Sequence, residues 1–471
     1  MKYLMIPILV SLVITSFTQS PKNWTIIYYA AGSNSSETDL LSDIEEMKQG
    51  KMSKDYNLVV LIDRAEGFSE DSSTLDGNFY DTRLYQIEHQ SFKRLEGKEF
   101  FPEIGRNQSY EANMADASTL KKFIQYCKKY YPANHYMLVL RSHGNGLGMC
   151  PDAEEGRMDK LYPAEITNVL TNNESVDILG LDVCSMAGLE NFYQWRPENT
   201  SFSSNYIIAS APLSGAWAYD RILERITTNA VSGIELDSNH FEEGKENNLN
   251  PNDMTPLDFS RLIMEEIYDN QQWASWGLFD TSKINELKLK MDEASRLLAT
   301  EQKAAITAII NNSLGYYHNT SNNLELSQLT FPYIDSYHFW SQISTSETIS
   351  KNTQNMANDV CKLIDALVIY SYYGQGFLPE TGNFYPGKSG VYQITPQGNK
   401  LFSQTSNTFW SHCGWFSPDD KSSYPDSYGQ YDWCIDGAIR GNNKVENFYE
   451  LLDYLFDNTN DETGGVNTYQ W

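Results

Sequence analysis

Apolar positions in the first half of the chain recur with two different periods, and the alternation between them marks out elements. Residues 24–31 (WTIIYYAA) and 56–63 (YNLVVLID) are nearly continuous apolar runs of strand length, and residues 82–88 (TRLYQIE) alternate with period two. Between the first two runs, residues 38–48 (TDLLSDIEEMK) carry helical spacing after a Ser/Thr/Asp-rich start. Residues 116–130 place Leu120, Phe123, Ile124 and Cys127 on one stripe, with Asp116 or Ser118 positioned to cap a helix. Residues 136–140, 176–183 and 206–209 read as further buried strands. Strands separated by helix-length segments need crossover connections, so the pattern predicts an α/β fold, a largely parallel sheet with helices on both faces. In such a sheet, ligands bind beyond the carboxyl ends of the strands. The segments that fall there are 31–33, 63–64, 142–148, 184–188 and 210–217.

The pattern then changes. Residues 233–253 (GIELDSNHFEEGKENNLNPND) are polar and acidic with no apolar period, which predicts a surface loop or linker. Helical spacing returns at 255–268, 282–300 and 360–373, and from Phe377 the chain is rich in Gly, Pro, Ser and aromatic residues. The expected organisation is therefore 1–20 as a leader, 21–232 as an α/β unit, 233–254 as an acidic linker and 255–471 as a mainly helical domain. At 471 residues the chain exceeds what one ordinary core serves, which fits two units, packed tightly or not.

Composition narrows the function classes. The formal charge of -27 repels a phosphate backbone and no Lys/Arg stripe interrupts it, so nucleic acid is not an expected partner. Met1-Lys2, an apolar run over 3–13 and a hydroxyl-rich stretch around Thr15, Ser16, Thr18 and Ser20 follow the order of a secretory signal. The run is too short to anchor a protein in a bilayer, so a secreted product without a membrane anchor is expected, periplasmic or extracellular. Cys127, Cys150, Cys184, Cys361, Cys413 and Cys434 contain no CxxC pair, which argues against a zinc ribbon. Cys413 and Cys434 share an aromatic, loop-rich region where either a disulfide or two buried thiols would fit.

Two of the five strand-end segments hold chemistry. In YMLVLRSHGNGLG, His143 follows a buried strand and precedes Gly144 and Gly146, which let backbone N–H groups approach a substrate. In VDILGLDVCSMAG, Cys184 ends another strand. A thiol attacks a carbonyl only as thiolate, so it needs a base and an oxyanion-binding site close by. Singly, Cys184 reads as a small buried hydrophobe and His143 as a loop residue. Together, at the reactive edge of a parallel sheet, they read as nucleophile and base, with the N–H groups of Gly144 and Cys184 as oxyanion donors. The His-to-Cys spacing is close to the roughly 50 residues of the caspase arrangement.

On WTIIYYAAGSN, NMADASTLKKF, YPANHYMLVLRSHGNG, GLDVCSMAGLENFYQ and IIAS…SGAWAYDRIL, the chain resembles the clostripain-like cysteine peptidases of the caspase-like clan, from about Trp24 to Leu223 and weakly beyond. The resemblance implies a caspase-like sheet, a cysteine endopeptidase acting on protein or peptide substrates, catalysis by His143 and Cys184 without a cofactor, and cleavage after Arg or Lys. It implies that Asp182 lines the pocket for the basic side chain, with Gly215 and Trp217 in the adjacent pocket segment. Relatives carry a second acid where this chain has Gly215, a departure that Asp220 stands near enough in sequence to offset. It also implies a precursor cleaved in a loop after the His strand, here PDAEEGRMDKL with Arg157 and Lys160, giving a monomer or a self-cleaved two-chain form. Calcium is a further implication; no EF-hand-like loop supports it. Two other readings stay open: a peptidase with non-basic preference, and a silent surface-binding fold that uses Trp410, Trp415 and Trp433 in the tail. A GxSxG elbow and an HExxH helix are both missing, which leaves serine hydrolase and zinc peptidase chemistry without support.

Overall fold

The computed structural model describes residues 21–105, 108–154, 157–197, 200–230, 248–316, 333–374, 383–395, 428–439 and 444–456. The stretch expected to be a leader, most of the acidic segment, Cys413, and Trp410 and Trp415 lie outside the described residues.

Thirteen strands are described: β1 Lys22–Gly32, β2 Tyr56–Arg64, β3 Thr82–Glu88, β4 Ser91–Arg94, β5 Ala133–Arg141, β6 Met149–Glu154, β7 Arg157–Leu161, β8 Val176–Asp182, β9 Ser204–Ser210, β10 Trp276–Asp280, β11 Tyr333–Asp335, β12 Val368–Ser371 and β13 Tyr392–Ile394. Nine form one sheet in the order β12-β10-β9-β8-β5-β1-β2-β3-β4. The five from β9 to β2 are mutually parallel, and the strands at either edge are antiparallel. The sheet is buried on both faces because its strands are apolar on both. In β1, Ile27, Tyr29 and Ala31 join one core while Trp24, Ile26, Tyr28 and Ala30 join the other. The first core includes Leu120, Phe123 and Ile124 of helix Ala117–Tyr130, and the second includes Leu40, Ile44 and Met47 of helix Glu37–Gly50. Asp116 caps the former, its side chain accepting from the Ser118 N–H at 2.7 Å.

The caspase-like, mostly parallel sheet with helices on both faces is as the sequence leads one to expect; the second half adds something that periodicity did not show. It is mainly helical, with helices Pro256–Asn270, Ile284–Leu298, Lys303–Asn312, Ser336–Thr345 and Lys351–Leu367. Yet β10 and β12 lie beyond residue 255 and extend the main sheet from β9. The helical pattern expected over 360–373 stops at Leu367, and the β-branched and aromatic run VIYS pairs with β10 instead. Leu287, Met291, Phe339 and Ile364 share one core with Leu138 and Leu181. The boundary at 255 is thus no break in the sheet. Trp433, expected in a surface-binding tail, is fully buried with its ring 5.6 Å from Tyr193.

Shared core implies shared melting. Leu278→Ala, at a fully buried site of β10, is expected to cost about 2–5 kcal/mol, with tryptophan fluorescence and far-UV circular dichroism still reporting one coincident transition in urea. Two separated transitions would mean that the halves unfold independently.

Candidate active site

Adjacent parallel strands bring the two candidate residues to one rim. β5 and β8 are neighbours in a register that sets Arg141 beside Asp182. Two residues on from each come His143 and Cys184, and since side chains alternate along extended backbone, they continue the face to which Arg141 and Asp182 point. The loops that follow touch directly. A Cβ added to Gly144 would lie 2.4 Å from the Cys184 carbonyl oxygen and 3.1 Å from Val183 Cβ, so only glycine fits. Ser185 is held at φ 59°, a left-handed conformation costing about 1–2 kcal/mol for a side chain-bearing residue. It is fixed by its N–H to Pro212 O (2.9 Å) and by the Tyr392 hydroxyl donating to its carbonyl (2.7 Å). Among the described residues, no other backbone carbonyl takes the N–H of Gly144 or of Cys184.

Cys184 is half-buried, and its Sγ lies 3.7 Å from Ser214 O and 3.9 Å from Ser214 Oγ. Burial raises the thiol pKa by more than those contacts and Arg141 lower it. His143 is on the open side of the rim, its Nε2 hydrogen-bonded to Ser35 Oγ at 2.8 Å. Desolvation lowers its pKa, Arg141 adds repulsion, and Asp39 opposes both. Both shifts favour the uncharged forms, a neutral imidazole and a protonated thiol.

Beneath the pair lies a buried charge cluster. Arg141 Nε stands 2.8 Å from Asp43 Oδ2 and 3.2 Å from Asp182 Oδ2. Asp43 also accepts from the Tyr28 hydroxyl at 2.9 Å and Asp182 from the Tyr219 hydroxyl at 2.8 Å. Burial raises both carboxyl pKa values, and Arg141 pulls against it. Asp182, expected to line a pocket, is therefore 1% exposed and already holds Arg141 and Tyr219, while its Oδ1 has no hydrogen-bond partner. Trp217 corrects a second expectation. It is 1% exposed, packs over Gly180 and against Trp276 and Tyr219, and so serves the core rather than a substrate. Gly215 is on the open side, its N–H bound to Gln271 Oε1 at 2.9 Å, and a Cβ there would meet the partly exposed Trp273 ring at 3.0 Å. Asp220, the proposed stand-in acid, accepts the N–H of Arg221 at 2.8 Å, and its backbone packs on Gly50.

Arg157 and Lys160 fall on β7, which pairs with β6 in a hairpin and not in the exposed loop expected of them. The Gly144–Met149 bridge and the Cys150 N–H to His143 carbonyl bond (3.0 Å) tie this hairpin to the His143 loop. Lys160 is half-buried, which lowers its pKa.

Several contributors went unnoticed in the sequence. Ser35 follows β1, one of the strand ends already singled out, so a strand-end rule extended by two residues would have reached it. Arg141 and Asp43 carry no local signal. Nor do Asn191, Tyr333 and Tyr392, which clamp the two loops. The Asn191 amide donates to Gly146 O (3.0 Å) and Met186 O (3.2 Å), the Tyr392 hydroxyl reaches both Gly146 O (3.2 Å) and Ser185 O, and the Tyr333 hydroxyl donates to Asn145 O.

Residues 28–440 match the model of the Clostripain family. The chain is 36% identical to clostripain of Hathewaya histolytica over 490 aligned positions, covering 97% of this chain and 92% of that protein. Its fold is similar to that of an inactive zymogen C11 protease from Parabacteroides distasonis (TM-score 0.52, 17% identity, 83% of this chain and 98% of the other). It is similar also to a secreted C11 cysteine protease from Bacteroides thetaiotaomicron in complex with an irreversible peptide inhibitor (TM-score 0.52, 16% identity, 83% and 99%).

The resting electrostatics are measurable. In the uncut chain, alkylation of Cys184 by iodoacetamide is expected to climb with pH and to remain below half-maximal at pH 9.0, the ordinary thiol value, because burial raises this pKa. A fast plateau reached by pH 6 would instead reveal a preformed thiolate–imidazolium pair.

Proposed function

The chain belongs to the clostripain family and is a cysteine endopeptidase, and on that premise we propose that Cys184 is its nucleophile and His143 its general acid and base. The observation that carries the reading is the contact of Gly144 with the Cys184 carbonyl, which sets the two loops against each other at the ends of neighbouring strands. Cys184 Sγ bonds to the scissile carbonyl carbon as its proton passes to His143. The tetrahedral oxyanion sits between the N–H groups of Gly144 and Cys184. The C–N bond breaks as His143 protonates the leaving amine, and a water activated by His143 then releases the acid and regenerates the thiol. For this the imidazole leaves Ser35 and turns toward the sulfur, a side-chain rotation at an exposed position.

The P1 residue is Arg or Lys in this reading. Two buried carboxyl groups face the single Arg141, and Asp182 Oδ1 is unpartnered. A second reading, a non-basic P1 residue, is favoured by the same Arg141, which occupies the other oxygen of Asp182. The protein or peptide substrate runs past Gly215 and Trp273 at the open side of the thiol.

The chain is proposed to be exported through its N-terminal 20 residues and to be made as a precursor opened at the β6–β7 hairpin. Arg157 is the better candidate than Lys160. It pairs with Glu154 in the last register step of β6 and β7, whereas Lys160 is half-buried and packs against Gly148. Among the described residues no helix is long and apolar enough to cross a membrane.

Cys184→Ala and His143→Ala are each expected to lower kcat by at least about a thousandfold on a peptide with Arg at P1. Mass spectrometry of the wild type beside Cys184→Ala is expected to find a cut after Arg157 only in the former. Equal turnover of peptides with Arg and Ala at P1 would establish the second reading, and full activity of either variant would remove the assignment.

A further inference from the structure

One wall of the reactive rim comes from the second half of the chain. β10 runs antiparallel to β9 with Trp276 opposite Ser210. Its amino end therefore lies at the carboxyl end of the parallel strands, the edge where His143 and Cys184 emerge. Residues 271–275, between helix Pro256–Asn270 and β10, turn at that edge. Their backbone is pinned. Gln271 O accepts from the Ala274 N–H at 2.9 Å and from the Tyr372 hydroxyl at 3.0 Å, and Ser275 O accepts from Ser210 Oγ at 2.8 Å. Gly374 packs so closely on the turn that a Cβ there would lie 2.2 Å from the Trp273 carbonyl carbon. The Gln271 carboxamide is engaged by the neighbouring segments. Its Oε1 accepts from the Gly215 N–H (2.9 Å) and from Trp276 Nε1 (3.2 Å), and its Nε2 donates to Ala216 O. Trp273 differs from the residues after it: Ala274, Ser275 and Trp276 are buried, whereas Trp273 is 42% exposed. Its ring stands beside Gly215, where a Cβ would lie 3.0 Å from Cζ2. Gly215 in turn follows Ser214, whose carbonyl oxygen is 3.7 Å from Cys184 Sγ. A large indole on a fixed backbone is thus presented at the side of the thiol, a preorganised contact surface.

We propose that Trp273 is the residue that distinguishes Arg from Lys at P1, by stacking on the planar guanidinium; this rests on the reading of a basic P1 residue. The acid beneath does not make the distinction alone. Asp182 has Oδ2 taken by Arg141 and Tyr219, and the remaining Oδ1 cannot form the paired bonds by which a carboxylate selects a guanidinium. Gln271 has no acceptor to add, since two N–H donors already use both lone pairs of Oε1. What the wall offers is an indole, and the two basic side chains differ toward it. A guanidinium is planar, delocalised and weakly hydrated, so it lies flat on an aromatic ring while its N–H edges stay free for oxygen acceptors. An ammonium is compact and strongly hydrated, and gives up more water in the same place. Gly215 contributes by having no side chain, because a larger residue would press on the Trp273 ring and on the Gln271 carboxamide.

The test measures kcat/KM of the full-length protein on peptides identical except for Arg, Lys or Ala at P1. The wild type is expected to favour Arg over Lys by about threefold or more. In Trp273→Leu that ratio is expected to fall by about threefold to thirtyfold, the range a cation–π contact supplies, with the loss on the Arg peptide carried mainly by KM. Trp273→Tyr keeps an aromatic face and is expected to retain most of the ratio. Both rates come from one preparation, so any loss of folded enzyme cancels, and Trp273→Gln gives the same comparison where the leucine variant does not fold. A wild-type ratio of one or less overturns the proposal, as does a ratio unchanged in Trp273→Leu and Trp273→Gln, or a tyrosine variant no better than the leucine one. In each of those cases a preference for Arg and Lys over Ala leaves the basic P1 reading standing. Equal turnover of the Arg and Ala peptides by the wild type overturns that reading and this assignment with it.

Discussion

The site depends on one register. Because β5 and β8 run parallel and side by side with Arg141 opposite Asp182, whatever follows each strand by two residues emerges at the same rim and on the same face. A slip of one residue would turn His143 or Cys184 into the opposite core. The register is locked from below by the charges it brings together. Arg141 is buried between Asp43 and Asp182, and breaking such a buried pair by removing one partner typically costs about 3–5 kcal/mol. A slipped strand would break it in the same way. The cluster that fixes the strands also lies directly beneath the rim from which His143 and Cys184 emerge.

The rim itself is finished by the second half of the chain. Tyr392 and Tyr333 stack with ring centroids 4.4 Å apart and reach across to carbonyls in both loops. Tyr431 adds a bond from its hydroxyl to Leu147 O at 2.9 Å. Gly146, at φ 98°, has no room for a Cβ, which would meet the Tyr333 hydroxyl. The loops therefore owe their shape to aromatic hydroxyls donated from more than a hundred residues downstream. Helices and strands after residue 255 act as a scaffold for the reactive edge.

The strands of the first half, and the position of His143 and Cys184 just past two of them, were legible because their signals are local. An apolar run of strand length followed by Ser-His-Gly or Val-Cys-Ser states both the element and its exposed end. Trp217 misled for a physical reason: an aromatic residue near a nucleophile in sequence can pack downward onto a sheet glycine, here Gly180, as easily as face a substrate. The run from Val360 to Tyr373 misled because a helix and the β-branched strand after it share an apolar stripe with no Gly or Pro between them. Asp182 ends β8, yet Arg141 lies in a different strand and Asp43 in a helix, so nothing near Asp182 in sequence announced that it was already paired. Long-range partners of this kind, Tyr392 and Asn191 among them, leave no periodic trace.

A structure of the protein with a peptide electrophile ending in Arg, bound covalently, tests the central claim most directly. The account predicts a thioether at Cys184 Sγ, the adduct oxygen between the N–H groups of Gly144 and Cys184, and the His143 ring swung from Ser35 to face the sulfur. An adduct on another cysteine, or one on Cys184 with His143 still bonded to Ser35 and the oxygen turned away from both N–H groups, would contradict it.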